Sequence, residues 1–498
     1  MSNLVFLPIG LPLLVGALCL AFWRSTLWQK RITVVGSLAY LLVSAKLFEQ
    51  TVAQGYLVLQ LGQWPAPFGI SLVADVLSAT MILLTGIVFV AGALYSMASV
   101  PGEHIRFGYF PLLHFLIVGV SGAFLTGDIF NLFVWFEVML LSSFGLLTLG
   151  GERAQMEGAI KYVTINLFSS AIFLTAVGLL YGMAGTLNMA DLALKLPAAS
   201  DDGMVNVLAL LFMASFGIKA GAFPLFFWLP ASYHTPLVAV SAVFAGLLTK
   251  VGVYALYRVF SLIFIGDIAF THNLLLWIAI LTMVTGVLGA AAQFEFRRIL
   301  SFHIISQIGY MILALALFTP LALMGGVFYI IHHILVKTNL FLISGLTYQL
   351  TGTHELKDMG GLYRQRPWLA AGFLVSAMSL AGLPPLSGFF AKFIVIRAGV
   401  EANSWWATGF ALAVGLLTLY SMIKIWSEVF WKKSEEGLQG QLQSRTLSVW
   451  MILPVLLLAL MTISIGIWGE ALIKIAELSA AQLMDRTGYI NAVLGAGL

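Results

Sequence analysis

Apolar runs of about 20 residues recur along the whole chain, separated by short polar connections. An α-helix rises about 1.5 Å per residue, so each run matches the roughly 30 Å hydrocarbon core of a bilayer. The runs lie near 4–22, 32–49, 73–98, 108–125, 129–149, 159–183, 207–231, 237–258, 274–292, 299–317, 322–348, 371–397, 405–431 and 449–474. They predict an all-α integral membrane protein with about 14 transmembrane helices.

The composition excludes water-soluble folds. Only 9% of the 498 residues are charged and 60% are hydrophobic, whereas soluble domains carry about 25% charged residues. So few charges cannot cover the surface of a soluble enzyme or of a nucleic-acid-binding protein. The partners we expect are therefore the lipid bilayer and other membrane subunits, and no nucleic acid.

The sequence offers no cofactor or metal site. Cys19 is the single cysteine and lies within an apolar run, which excludes a disulfide or cysteine-metal framework. HExxH, Walker and GxGxxG motifs are absent from the sequence. His332 and His333 are adjacent on a predicted helix, which disfavours a shared metal ion. We therefore expect no cofactor and no metal.

Basic residues indicate how the chain crosses the membrane. Of the 25 Lys and Arg residues, 14 fall in odd-numbered connections, 6 in even-numbered connections or the C-terminal end, and 5 inside spans. Arg258 is counted with the even set. Because cytoplasmic loops are enriched in basic residues, the odd connections are predicted to be cytoplasmic. Both termini are then predicted to lie outside the cell. The chain is predicted to cross the cell (plasma) membrane many times.

Two predicted helices carry Pro/Gly interruptions at matching positions. One is GIKAGAFPLFFWLP (217–230) in helix 7, with Pro224; the other is LAGLPPLSGFFAKF (380–393) in helix 12, with Pro384 and Pro385. Broken helices in corresponding halves indicate inverted repeats around a transport site. We predict a single membrane domain over 1–498, composed of flanking helices 1–3 (1–107), repeat one with helices 4–8 (108–258), repeat two with helices 9–13 (272–431) and helix 14 (449–474).

Ionisable side chains inside the predicted helices are candidate functional residues, because each is expensive to bury in lipid unless it is paired or hydrated. Glu137 lies near a helix centre, and the midspan lysines are Lys219, Lys250, Lys337 and Lys392. Lysine loses its proton readily when desolvated, whereas arginine does not. When a Glu–Lys pair separates and re-forms, the lysine therefore changes between proton acceptor and proton donor. This behaviour predicts a proton relay. Lys219 and Lys392 adjoin the breaks and are expected to reach carbonyls that the breaks free.

Histidines near these lysines are secondary candidates for the relay. His333 lies four residues before the lysine of HHILVK and shares its helical face, whereas His332 points away and is interpreted as a packing residue. His303, in RRILSFHIISQIGY, fits either proton access from the cytoplasm or a cap at the interface. Lys424 and Glu428 are four residues apart and predict an ion pair at the interface.

These motifs together resemble the antiporter-like proton-translocating subunits shared by respiratory complex I and the multisubunit Mrp cation/proton antiporters. The resemblance covers nearly the whole chain, most strongly about 108–400. The motifs that carry it are WFEVMLLSSFGLL, GIKAGAFPLFFWLPASYHTP, LLTKVGVYALYR, RRILSFHIISQIGYM, HHILVKTNLFLISG and LAGLPPLSGFFAKF. The SFHIISQ and FEVMLLSS segments are similar to the Mrp branch, and within it to the D-type subunits.

The resemblance implies fourteen helices, two inverted five-helix repeats and a line of buried charges along the membrane. It implies that Glu137 interacts with a neighbouring subunit or with its own lysine. The proton path would then consist of Glu137, Lys219, Lys250, His333, Lys337 and Lys392. The implied partners are a large A-type subunit and small subunits of a hetero-oligomeric complex, with H⁺ and Na⁺ as the transported ions.

The function that we expect is a secondary transporter subunit, not an enzyme, that carries protons coupled to Na⁺ export. One alternative is a proton-pumping subunit of a complex I-like NADH-quinone oxidoreductase or a membrane-bound hydrogenase, whose energy comes from electron transfer in partner subunits. Another is a scaffold whose buried charges only fix helix packing. Lys219→Arg separates the scaffold from a relay, because a relay assembles with that change and fails.

Overall fold

The computed structural model describes residues 2–198, 202–433 and 445–495. The long helices are α1 (Leu7–Ala21), α2 (Thr26–Gln54), α3 (Val76–Ser99), α4 (Tyr109–Leu125), α5 (Ile129–Thr148), α6 (Arg153–Ala184), α7 (Asp202–Ala220), α8 (Val238–Leu262), α9 (Ile268–Ala292), α10 (Phe296–Leu317), α11 (Pro320–Thr351), α12 (Pro367–Ala381), α13 (Ser387–Glu401), α14 (Trp405–Ile425), α15 (Val449–Ile467), α16 (Gly469–Met484) and α17 (Arg486–Leu494). Short helices lie at Gly102–Arg106, Met189–Lys195, Trp228–Ser232 and Leu362–Gln365, and a π-helical turn, Trp426–Trp431, extends α14.

The predicted membrane fold is confirmed. Within the described residues, 11 helices are long and apolar enough to span a bilayer, and three shorter apolar helices, α1, α4 and α12, complete the set of 14. One boundary was wrong. The last span was placed at 449–474, but α15 ends at Ile467 and the backbone turns at Trp468 (φ −110°, ψ 44°) before α16 begins.

Both predicted helix breaks are present. Gly221 (φ +78°) follows α7 and Gly382 (φ +93°) follows α12, in the left-handed region that glycine adopts without strain. The prolines Pro224, Pro384 and Pro385 come directly afterwards, where a residue without an amide hydrogen cannot continue the helical bonding. The chain resumes as Trp228–Ser232 after the first break and as α13 after the second.

Helices α8 and α11 form the centre of the bundle. The most apolar segment of α11 is 100% buried and that of α8 is 94% buried, whereas the corresponding segment of α2 is 33% buried. One face of the bundle, which we call the terminal face, carries the antiparallel strands β1 (Leu57–Gln60) and β2 (Ser71–Ala74) together with the start of α3 and the end of α8. The two central helices place their polar residues far from lipid.

Candidate functional site

Three residues on three helices form the first polar cluster. The hydroxyl of Ser170, on α6, donates to the Glu137 carboxylate on α5. The same hydroxyl accepts from the Lys219 ammonium on α7 at 3.0 Å. Lys219 also lies 5.3 Å from the centre of the Phe136 ring. The sequence singles out both Glu137 and Lys219 as candidate residues. The structure shows that Ser170, which the sequence did not indicate, bridges them.

Lys219 does not cap the first helix break, contrary to expectation. Its ammonium faces Ser170 and, at 3.5 Å, the Asn166 carbonyl of α6. The carbonyl of Ile218 accepts instead from the Trp228 indole at 3.1 Å, so the helical turn after the break closes the end of α7. The Lys219 ammonium therefore bonds within the polar cluster and not to the end of α7.

The centre of the bundle carries the next group. A Cβ atom at Gly252 would lie 2.5 Å from the Ala220 nitrogen, so α8 packs directly against the end of α7. The buried ammonium of Lys250 donates to the Ala245 carbonyl, and that of Lys337, on α11, donates to the Leu300 carbonyl at 3.0 Å.

His333 is on α11, one helical turn before Lys337, and is close enough to both Lys337 and Lys250 to interact with their charges. It is fully buried, and neither of its ring nitrogens has a partner among the described residues. The imidazole is therefore available to its charged neighbours.

Lys392 caps the second break, as expected. Its ammonium donates to the Ala381 carbonyl, the last residue of α12, at 2.9 Å. It also lies 5.3 Å from the centre of the Tyr310 ring. The carbonyl freed by the break thus gains a charged donor.

His332 has a role in the same break that the sequence did not predict. Its Nδ1 lies 2.8 Å from the Ser387 hydroxyl, and that hydroxyl lies 3.0 Å from Ser379. Ser379 in turn accepts from the Gly388 amide at 3.2 Å. The interpretation of His332 as a packing residue was therefore incomplete, since it connects α11 to the interrupted helix.

His303 belongs to the interior. Its side chain is fully buried, with neither ring nitrogen bonded to a described residue, and it interacts electrostatically with Lys337, Lys392 and Lys424. Proton access from the cytoplasm and a cap at the interface both stay predictions for His303.

The predicted Lys424–Glu428 pair is wrong. The Lys424 ammonium donates to the carbonyls of Ala291 and Gln293, at 2.8 and 2.7 Å, where α9 ends. Glu428 instead contacts Lys432 at 3.3 Å. The π-helical turn after Ile425 changes the angular spacing of residues, so α-helical periodicity does not hold between 424 and 428.

The assignment of Arg258 to an even-numbered connection was also wrong. Arg258 lies inside α8 with 5% of its side chain exposed and pairs with Asp75, whose side chain is 2% exposed. Asp75 precedes α3 and caps it by accepting from the Ser78 amide at 2.8 Å. A sequence signal could have placed Arg258 inside the helix. It follows Lys250 by eight residues, and this spacing puts both residues on one side of a single helix.

No group of three or more His, Cys, Asp or Glu side chains suited to a metal ion occurs in the described parts of the chain. The site consists instead of single titratable groups spaced along the bundle. Such an arrangement suits stepwise proton transfer, in which each group takes a proton from one neighbour and gives one to the next.

Comparisons with known proteins show the family of this chain. The family described as "NADH:quinone oxidoreductase/Mrp antiporter, TM" matches residues 126–418. The D-type subunit of a Na⁺/H⁺ antiporter from Alkalihalophilus pseudofirmus is 47% identical over 497 residues, covering 99% of this chain and 100% of the relative.

Two solved structures share the fold. One chain of the Mrp complex from Dietzia sp. superposes with a TM-score of 0.92 at 34% identity, covering 99% of each chain. One chain of the membrane-bound sulfane sulfur reductase, an archaeal respiratory complex, gives a TM-score of 0.93 at 26% identity, covering 99% of this chain and 100% of that one. This chain therefore belongs to the family of membrane subunits shared by NADH:quinone oxidoreductase and the Mrp antiporters.

Proposed function

We propose that this chain is a proton-carrying subunit of a multisubunit monovalent cation/proton antiporter that exports Na⁺. The observation that carries the proposal is a series of titratable groups through both halves of the bundle, all of them buried except Glu137, which is partly buried. Its members are Glu137, Lys219, Lys250, His333, Lys337 and Lys392. The relative from Alkalihalophilus pseudofirmus, a D-type Na⁺/H⁺ antiporter component, supports the choice of ion and of subunit type.

The first step follows from the Ser170 bridge. A proton on Glu137 passes to the Ser170 oxygen while the Ser170 hydroxyl proton passes to the Lys219 amine. The hydroxyl is restored, the carboxylate becomes charged and the lysine becomes an ammonium. The ion pair so formed favours the transferred state, and separation of the pair reverses it.

The energy available matches this chemistry. One elementary charge that crosses 100 mV is worth about 2.3 kcal/mol, comparable to a change of between one and two pKa units. Small movements that strengthen or weaken the contact between Glu137 and Lys219 through Ser170 are therefore sufficient to couple proton passage to a conformational step.

The inverted repeats remain part of the proposal, with 108–258 and 272–431 as the two units. Equivalent junctions support them. Asp128 caps α5 and forms an antiparallel bridge with Asn188, while Glu295 caps α10 and forms one with Glu355. Four helices precede the first junction and nine precede the second, so the two junctions lie on opposite faces of the bundle.

The membrane context follows from the same proposal. The excess of basic residues in odd-numbered connections places those connections in the cytoplasm, with both termini outside the plasma membrane. The partners that we propose are a large A-type subunit and small subunits, as the family resemblance implies; the solved Mrp complex from Dietzia sp. supports a multisubunit assembly. A cysteine-accessibility assay with a tag cysteine at either terminus tests the orientation.

A redox-driven pump is the second candidate, and the similarity to the sulfane sulfur reductase chain favours it. Such a pump would use the same proton groups but would take its energy from partner subunits that carry electrons. Purification of the native assembly discriminates the two: small antiporter subunits support exchange, whereas flavin and iron–sulfur subunits support the pump.

The direct test uses membrane vesicles that contain the whole complex, with Na⁺-dependent dissipation of a pH gradient as the signal. We expect Glu137→Gln and Lys219→Ala to assemble and to lose exchange, and Lys219→Arg to fail as well, because arginine keeps its proton. Lys46→Ala is the matched control, since that lysine is 53% exposed and pairs with Glu49 at the surface. Normal exchange in both Glu137→Gln and Lys219→Ala would refute the relay.

A further inference from the structure

Arg258, which pairs with Asp75 at the start of α3, lies on α8, the helix that carries Lys250. Arg258 follows Lys250 by eight residues on α8, which corresponds to about 12 Å along the helix axis. Tyr254 lies between them, and its hydroxyl accepts from Arg258 at 3.2 Å. Both members of the pair are almost completely buried. Two opposite charges are thus fixed in the interior within electrostatic reach of a relay lysine.

The surroundings hold Arg258 in place. Its guanidinium lies 5.4 Å from the Tyr254 ring centre and 5.3 Å from that of Tyr489, on α17, so it is held between two aromatic faces. Tyr489 packs edge-on against Tyr56 at 6.2 Å. Arginine stays protonated in proteins. The pair therefore contains one permanent positive charge beside a carboxylate, and α17 covers it at the terminal face.

We propose that the Asp75–Arg258 pair positions charge around Lys250, so that the carboxylate cancels the field that the buried guanidinium would otherwise impose on the Lys250 amine. This inference rests on the proposed role of Lys250 in proton transfer. Buried ion pairs contribute little net stability compared with apolar side chains of similar volume. An electrostatic role gives a reason for placing one beside the relay.

Other charged and titratable groups adjoin this region and stay constant in the test. Lys250 interacts with the α11 side chains His333 and Lys337, and its helix packs on the end of α7 next to Lys219. The pair itself has Tyr254, Tyr489, Tyr56 and Asp485 as neighbours. None of these groups is changed by the substitutions that test the pair.

The experiment measures the pH profile of Na⁺/H⁺ exchange in vesicles that contain the whole complex. Asp75→Asn leaves an uncompensated guanidinium, which disfavours a proton on Lys250 and moves the profile to lower pH. Arg258→Gln leaves an uncompensated carboxylate and moves it to higher pH. The helix rise alone separates Lys250 from Arg258 by about 12 Å, and the Lys250 ammonium extends further away, toward Ala245. With an effective dielectric constant of about 20, each shift is therefore at most about one pH unit.

The double variant Asp75→Asn/Arg258→Gln is the matched control, because it removes both charges and is expected to restore the parental profile. Opposite shifts that cancel in the double variant support the proposal; equal or absent shifts overturn it, since a purely structural role predicts lower rates without opposite shifts. If one single variant does not assemble, the other still decides: a shift in the stated direction that the double variant reverses supports the proposal, and an unshifted profile overturns it.

Lys250→Ala, measured in the same vesicles, separates the two proposals. Retained exchange in Lys250→Ala would refute the relay itself. Loss of exchange in Lys250→Ala, combined with parental profiles in Asp75→Asn and Arg258→Gln, would refute only the role of the ion pair.

Discussion

The Lys219 ammonium donates to the Ser170 hydroxyl at 3.0 Å, and that hydroxyl is in turn the donor to the Glu137 carboxylate. A hydroxyl can accept one hydrogen bond while it donates another, so the Ser170 oxygen can take up one proton as it releases its own. The contact between the two charged residues is therefore indirect, and its strength depends on a serine of α6. Movement of α6 relative to α7 would make or break the link.

Ser170→Ala is expected to assemble and to lower the exchange rate at least tenfold, because positioned proton transfer contributes about 10²–10⁴-fold. The measurement is the initial rate of Na⁺-dependent pH-gradient dissipation. Ser169→Ala is the control, since the Ser169 hydroxyl is also buried but bonds to Ser215 at 3.1 Å, away from the charges. Equal rates in the two variants would show that the bridge is dispensable.

His332→Ala is expected to lower exchange about tenfold, because it removes the contact that joins α11 to Ser387 in the second break. Ser387→Ala should produce a similar loss, and the double variant should be no worse than either single one. His272→Ala serves as control: this histidine is 3% exposed and bonds to the adjacent Thr271. Additive losses in the double variant would contradict a shared contact.

Lys424→Ala is expected to reduce exchange less than twofold while it destabilises the complex by about 1 kcal/mol. The reason is that Lys424 donates to the carbonyls that end α9 and lies at the end of its own helix. Exchange and thermal unfolding of the purified complex provide the two measurements. Almost complete loss of exchange with normal assembly would place Lys424 in the proton path instead.

Glu295 gives the protein a pH-dependent stability. Its carboxylate caps α10 from the preceding connection, accepting from the Arg297 amide at 3.2 Å. Burial raises the pKa of Glu295 to about 7, against the opposing effect of the Arg297 charge. Because the folded-state pKa lies above the ordinary value, the stabilisation is present at low pH and is lost as pH rises through about 7.

The unfolding temperature of the purified complex should therefore fall between pH 5 and pH 8 by about 2–5 °C more in the parent than in Glu295→Gln. The glutamine keeps a capping oxygen but cannot ionise. Glu355→Gln, which changes the exposed acid across the β-bridge, should reduce the pH dependence only slightly, because the Glu355 charge is the smallest contribution to the raised pKa of Glu295. An identical pH dependence in the parent and in Glu295→Gln would refute the effect.

The candidate residues that the sequence singles out share one property: their chemistry conflicts with their surroundings. Glu137, Lys219 and Lys392 are charged groups in apolar runs, and burial in lipid is costly enough to make each one conspicuous. The prolines of the breaks are visible for a similar reason, because proline cannot continue helical bonding. Ser170 and Ser387 carry no such signal, since a serine in a membrane helix usually bonds to its own backbone.

The sequence by itself determined the class of fold, the number of helices and the identity of the charged groups, because hydrophobic length and charge are local properties of the chain. Only the tertiary structure decided which groups meet. Ser170 bridges Glu137 and Lys219, Arg258 finds Asp75, and Lys424 turns to the end of α9 instead of to Glu428. Each of these contacts joins one helix to another helix or to its end, and helical periodicity describes a single helix but not the neighbour against which it packs.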